Sequence, residues 1–339
     1  MNEEDTLLYS YLNLFLEKDN SQIELLVGNN SCTEFESETK KVEGEIKNLD
    51  FLLNFCSNKK SFPDVILNFG NKELTSEWVK KFLNYEGNKK VIAKNQDFNF
   101  SKFSKIEFNL INNWGKEKVY FGDNIKNIIN LDFNQDIQKF KDFFVKAYNN
   151  KGEIKLTERK KIDYTEEEFI RINQFIYFLV EYIYQDVEQN EKKYKKLINK
   201  NNGFNFFPGF NKGCPANHKI FISLEDLSFA FCPNLTSKEY SYGKIKKDKK
   251  VKSKNVELFI SILKANLKDM PICETCILNE FCEFDCFLSQ QKKSGDFFVP
   301  HPEFCRYSHK KLLSFLEAQQ KFGLNSSREN KILNKLDID

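Results

Sequence analysis

Four cysteines fall in one short stretch, Cys273-x2-Cys276-x5-Cys282-x3-Cys286, within the row PICETCILNEFCEFDC. One or two buried cysteines are ordinary core residues, but a run this compact implies a shared chemical partner. A thiolate binds soft or borderline metals. The tight turn of a CxxC brings two sulfurs to one centre, so Cys273 and Cys276 form one ligand pair. Zinc takes four such ligands and is then complete. Iron–sulfur clusters also take four thiolates at short spacings, so the residues alone leave both metals open. Of the nine cysteines, Cys214, Cys232 and Cys305 accompany this group in the later part of the chain. Cys32 and Cys56 stand alone near the front and read as buried core residues. His218 could complete a site short of one thiolate, although a solvent-facing turn is the simpler place for it.

Composition bounds what surrounds these thiols. The 339 residues suffice for one large domain and a small one. Lys+Arg 52 against Asp+Glu 49 gives a net charge of +3, which demands no nucleic-acid or acidic partner. No stretch of about 18 apolar residues exists, so no membrane span is expected. The opening MNEEDTLLYSYLNLF is acidic where a signal peptide is basic. A cytoplasmic chain is expected, and cysteines there read as metal ligands before disulfides.

The elements that must position the thiols follow from pattern. Residues 1–22 read as a docking helix or arm, with Leu7, Leu8, Tyr11, Leu12 and Phe15 at helical spacing. IELLVGNN (23–30), VILNFG (65–70), VIAKN (91–95), KIEFNLI (105–111), KVYFGD (118–123) and NIINLDF (127–133) are short β-rich runs. Helical stretches around 43–55, 73–85 and 136–148 alternate with them. This order predicts a parallel sheet with crossovers, open or part-closed into a barrel. The strongest helix is predicted over 165–186, where Thr165 and Glu168 match a capping box. After residue 200 the composition changes, and six of the seven prolines lie there: Pro208, Pro215, Pro233, Pro271, Pro300 and Pro302. Lys219–Ser223 and Leu227–Cys232 predict a hairpin turning at Glu225-Asp226. The lysine run 244–254 reads as a solvated loop, and helices are predicted over 256–267 and 308–322.

The cysteine pattern resembles the SPASM domain, the C-terminal part of many radical S-adenosylmethionine enzymes that modify peptides. The likeness covers about 213–310: Cys214, then KIFISLEDLSFAFC ending at Cys232, then Tyr242-Gly243-Lys244-Ile245, the CxxC group, and Cys305 in PEFC. The resemblance implies two [4Fe–4S] clusters. Cys273, Cys276, Cys282 and Cys305 would hold one, and Cys214, Cys232 and Cys286 the other, its fourth site open or otherwise filled. This chain departs from the pattern at Leu227, where that family has a glycine five residues before the second cysteine. The gap between Cys214 and Cys232 is also longer than in that family.

Such a domain follows a partial (β/α)6 barrel whose first strand leads into Cys-x3-Cys-x2-Cys. Here Cys32 begins that spacing, but Glu36 and Thr39 occupy the other two positions. A GGEP stretch on the family's second strand is replaced by Gly70-Asn71-Lys72-Glu73. The resemblance therefore implies a pseudo-radical-SAM protein: an N-terminal arm (1–22), a degenerate partial barrel (23–200), an iron–sulfur SPASM domain with a β-hairpin and helices (201–322), and a tail (323–339). No S-adenosylmethionine is expected. The implied role is a non-catalytic partner in maturing a ribosomally made peptide, binding the precursor or an active peptide-modifying enzyme. Two alternatives remain: a zinc-stapled scaffold for protein contacts, and an enzyme with a repurposed barrel mouth near Glu36, Glu73 and Asp132.

Overall fold

The computed structural model describes residues 2–18, 21–27, 38–58, 62–70, 72–94, 98–113, 124–131, 137–149, 153–158, 165–189, 219–231, 240–264, 270–276, 290–291 and 294–321. The chain forms two compact units: Met1–Ile111, Tyr120–Lys126 and Cys214–Ala265 in the first, and Asn112–Val119, Asn127–Gly213 and Asn266–Asp339 in the second. The segment from Cys214 to Ala265, grouped with the tail on sequence, thus has its contacts in the first unit.

Eight strands of a ten-stranded sheet fall in the first unit, in the order β10-β9-β8-β7-β1-β2-β3-β4. These are β1 (Gln22–Leu26), β2 (Asp64–Asn68), β3 (Lys89–Lys94), β4 (Glu107–Asn113), β7 (Lys219–Ser223), β8 (Ser228–Ala230), β9 (Gly243–Ile245) and β10 (Val251–Ser253). The pairings β7–β1, β1–β2, β2–β3 and β3–β4 are parallel, and β7–β8, β8–β9 and β9–β10 are antiparallel. Helices α1 (Glu3–Leu16), α2 (Glu38–Ser57) and α3 (Ser76–Leu83) lie between or before the early strands, as the alternating pattern predicts.

One face of this sheet is apolar and closed. Ile23, Leu25, Val65, Leu67, Val91, Ala93, Phe108, Leu110, Ile220, Ile222 and Phe229 are all buried. Leu12 and Leu16 of α1, and Leu52, Phe55 and Cys56 of α2, line one small cavity with Ile23, Ile220, Ile222 and Phe229. Cys56, 2% exposed, is thus a core residue here, as its isolation in the sequence predicts. The alternate residues of the same strands are mixed, with Glu24, Lys90, Glu107 and Lys219 charged and Leu26, Ile66 and Phe221 apolar and buried.

The hairpin β7–β8 forms with Leu227 at φ 60, in the left-handed region that favours glycine. This is the position where the sequence departs from the glycine of the SPASM pattern. Leu227 N–H donates to the Ser223 carbonyl at 2.9 Å, and its own carbonyl accepts from Ile245 at 3.0 Å. Its side chain is 4% exposed, so burial and two backbone hydrogen bonds offset the backbone strain. The lysine run 244–254 is only in part the solvated loop expected: residues 246–250 form an exposed turn, but β9 and β10 pair on either side of it. Ile245 and Val251 point inward between exposed lysines, an alternation the charge obscures. Gly243 is required by space, since an added Cβ would lie 2.7 Å from the Lys252 carbonyl oxygen and 2.6 Å from Leu8. Beside it Tyr242 stacks on Phe259, ring centroids 3.9 Å apart.

In the second unit lie most of β5 (Ile125–Leu131), all of β6 (Glu153–Glu158), and helices α4 (Ile137–Asn149), α5 (Glu166–Gln189), α7 (Pro271–Glu274) and α8 (Pro302–Lys321). α6 (Val256–Lys264) belongs to the first unit. The strand expected at 118–123 lies outside the described residues. Among the described residues no helix is long and apolar enough to cross a membrane.

Candidate metal centre

α5 begins with the predicted capping box: Thr165 N–H donates to Glu168 Oε2 at 2.8 Å, and Glu168 N–H to Thr165 Oγ1 at 3.2 Å. That fixes the first turn, where Glu166 pairs with Arg306 and, at 2.9 Å, with Lys310 of α8. Between these partners lies the Phe169 ring, with Lys310 Nζ 4.2 Å and the Arg306 guanidinium 5.4 Å from its centroid. Glu166 is exposed, and its hydrogen bond with Lys310 leads in holding its carboxyl below the usual range. Phe169, Ile172, Phe175, Ile176 and Leu179 are buried on α5, and Phe304, Tyr307, Leu312 and Leu316 on α8. The two helices pack on each other along these rows.

Docking α8 this way places Cys305 and His309 one helical turn apart on a common face. The opposing turn comes from the CxxC. α7 has proline at its start and lasts a single turn; Cys273 N–H donates to the Met270 carbonyl at 2.9 Å and Cys276 N–H to the Cys273 carbonyl at 3.2 Å. Cys276 Sγ then stands 3.8 Å from His309 Nε2. Burial alone pushes the His309 imidazole below the ordinary histidine range, which keeps it neutral near pH 7. At the head of α8, the His301 carbonyl accepts from Cys305 N–H at 3.2 Å. Among the described residues the buried His301 Nδ1 finds no hydrogen-bond partner.

The structure therefore brings together Cys276 and His309, with Cys305 one turn away on the same helix and Cys273 in the same turn as Cys276. Cys273, Cys276 and Cys305 are half-buried and in no disulfide. Cys214, Cys232, Cys282, Cys286 and His218 lie outside the described residues, as does Cys32. Among the described residues no three of His, Cys, Asp and Glu converge on one metal position. The donors that do meet, a thiol and an imidazole, are the right kind for a soft or borderline metal. His309 was missed on sequence, although Cys305-x3-His309 has the i, i+4 spacing that puts two donors on one helix face.

At the front, the strand ends are occupied differently. Glu24, 3% exposed on β1, accepts from Asn68 Nδ2 at 2.7 Å and pairs with Lys219 at 3.3 Å. Asn68 Oδ1 in turn accepts from Gly70 N–H at 2.9 Å, and Gly70 turns the chain at φ 52. Lys72 reaches the buried Glu45 of α2 at 3.7 Å, and Glu73 is exposed. Glu36 and Asp132 lie outside the described residues.

No protein-family model matches the chain, and no curated protein matches it. Solved structures do, at low identity. Histidine-tagged anSMEcpe with bound AdoMet shares 12% identity, covering 92% of this chain and 98% of that one at TM-score 0.55. Native anSMEcpe with bound AdoMet and Cp18Cys peptide shares 13%, covering 93% and 99% at TM-score 0.55. Streptococcus suis SuiB bound to S-adenosylmethionine shares 14%, covering 89% and 79% at TM-score 0.50. What this chain shares with these AdoMet-bound proteins is the fold.

Proposed function

We propose that this chain is an iron–sulfur-binding, non-catalytic partner in the maturation of a ribosomally made peptide. It binds a precursor peptide or an active peptide-modifying enzyme and does not cleave S-adenosylmethionine. In this reading residues 23–200 are a degenerate radical-SAM barrel and 201–322 a SPASM domain. Cys273, Cys276, Cys282 and Cys305 hold one [4Fe–4S] cluster, and Cys214, Cys232 and Cys286 a second. The carrying observation is the meeting of the CxxC turn with α8, where Cys276 faces His309 at 3.8 Å. The fold likeness to AdoMet-bound enzymes, one of them also holding a peptide, supports the context. The loss of two of the three expected thiolates after β1 argues against cleavage, because Glu36 and Thr39 are poor ligands for soft iron.

When bound, such clusters supply a one-electron store or an open iron site. The chain's part is to hold them: α7 fixes the CxxC turn, and the α5–α8 contact fixes Cys305. Iron and acid-labile sulfide assays on anaerobically purified protein, with an assay for methionine and 5′-deoxyadenosine, test the reading. Sulfide with no deoxyadenosine supports it; deoxyadenosine formation defeats the non-catalytic half.

One observation favours the zinc scaffold as a second reading. Thiolate and imidazole bound to one tetrahedral zinc ion lie about 3.5 Å apart, from bond lengths of about 2.3 and 2.0–2.1 Å. The Cys276–His309 separation of 3.8 Å is near that edge. Zinc without sulfide in the purified chain would select it.

A further inference from the structure

Each iron of a four-iron cluster takes one terminal protein ligand. Two terminal ligands of one cluster therefore sit on different irons, farther apart than a single sulfur–nitrogen contact. Cys276 Sγ and His309 Nε2 are 3.8 Å apart. If Cys276 holds a cluster, His309 is not its co-ligand, and the remaining role at that separation is hydrogen bonding.

The local structure suits that role. His309 follows Cys305 by one turn of α8, so the helix that would supply one ligand also carries the imidazole to another. Its neighbours along the helix, Arg306 and Lys310, are engaged with Glu166 and the Phe169 ring, which sets the rotation of α8. The ring is half-buried, and Nε2 is the ring nitrogen that faces the Cys276 sulfur. A thiolate is an acceptor only, which assigns the hydrogen to Nε2.

We propose that His309 is a positioning residue that donates its Nε2–H to the Cys276 sulfur and thereby raises the reduction potential of the centre that Cys276 holds. This rests on the iron–sulfur reading above. A hydrogen bond to a ligating sulfur stabilises negative charge there, and the reduced centre carries more of it. Leu or Phe at this position would leave the sulfur facing apolar surface.

The test uses the full chain, purified and reconstituted without oxygen, in three forms: parent, His309→Phe and His309→Gln. Iron and acid-labile sulfide are measured on each, followed by a potentiometric titration with dithionite read by electron paramagnetic resonance. His309→Phe is expected to keep the parent's iron and sulfide while one midpoint potential moves lower. His309→Gln retains an N–H donor and stays nearer the parent. Unchanged potentials in a fully loaded His309→Phe would overturn the proposal and leave the iron–sulfur reading standing. Loss of iron and sulfide from both variants would also overturn it, since His309 would then be a ligand or a packing residue. A parent chain carrying zinc and no sulfide would defeat the iron–sulfur reading itself, and the proposal with it.

Discussion

Glu24 of β1, buried, and Cys276 of the CxxC turn, half-buried, can both carry charge, and the chain treats them differently. The two oxygens of Glu24 are taken up inside the first unit by Asn68 and Lys219. Cys276 meets an imidazole, and a few residues before Cys305 the His301 ring has a buried nitrogen with no partner among the described residues. A buried charge closed by the protein's own groups needs nothing further, whereas a thiol and an imidazole that meet are donors of the kind soft metals take. Glu24 at the front is thus polar but satisfied, and the proposed function puts the metal in the tail.

Removing a tail donor breaks this contrast most directly. Cys276→Ser is expected to cut iron and sulfide to roughly half of the parent, because one of two proposed clusters loses a thiolate; metal analysis checks this. Unchanged iron and sulfide would place the metal elsewhere. Removing the front acid gives the converse effect. Glu24→Ala leaves Lys219 and Asn68 facing a buried gap and should cost about 3 kcal/mol in denaturant unfolding, with metal content per folded chain unchanged. A fall in metal content would mean that the front sheet takes part in holding it.

A smaller loss should follow Gly243→Ala. The new methyl group meets the Lys252 backbone carbonyl at 2.7 Å, so β9 and β10 must separate, at about 1–3 kcal/mol in the same unfolding measurement. The smallest effect concerns acid. Ser253 donates its backbone N–H and hydroxyl to Asp5 at 2.6 and 2.7 Å, and these bonds hold the Asp5 carboxyl below its ordinary 3.8. A lowered folded-state pKa means the stabilisation is present above about pH 3.8 and lost as pH falls through the folded value. Hydrogen exchange of α1 should therefore speed up in that acid window in the parent, and Asp5→Asn should lessen the change.

Particular residues separate what is legible in the chain's own letters from what is not. Thr165 and Glu168 announce the start of α5 because a capping box is local chemistry. Leu227 marks an irregular turn because a departure from glycine has a backbone meaning, here a left-handed leucine. The β9–β10 pair escapes because lysines hide a two-residue alternation, and β6 (EIKLTE) because it is short and half-charged. The parallel seam between β1 and β7 joins residues nearly two hundred positions apart, with Gln22 opposite Lys219, and no local signal encodes such a pairing. Cysteine spacing points to a metal, but the partner of Cys276 is an imidazole from another helix. That contact arises from how α8 docks on α5, which only tertiary packing specifies.

Metal kept by the tail and given up by the front is the claim on which the proposed function stands. Its most direct test is iron and acid-labile sulfide per chain after anaerobic purification, compared between the parent and Cys32→Ala. Sulfide-bearing protein is predicted in both, at equal content. Absence of sulfide in the parent, or its loss with Cys32, would contradict the claim.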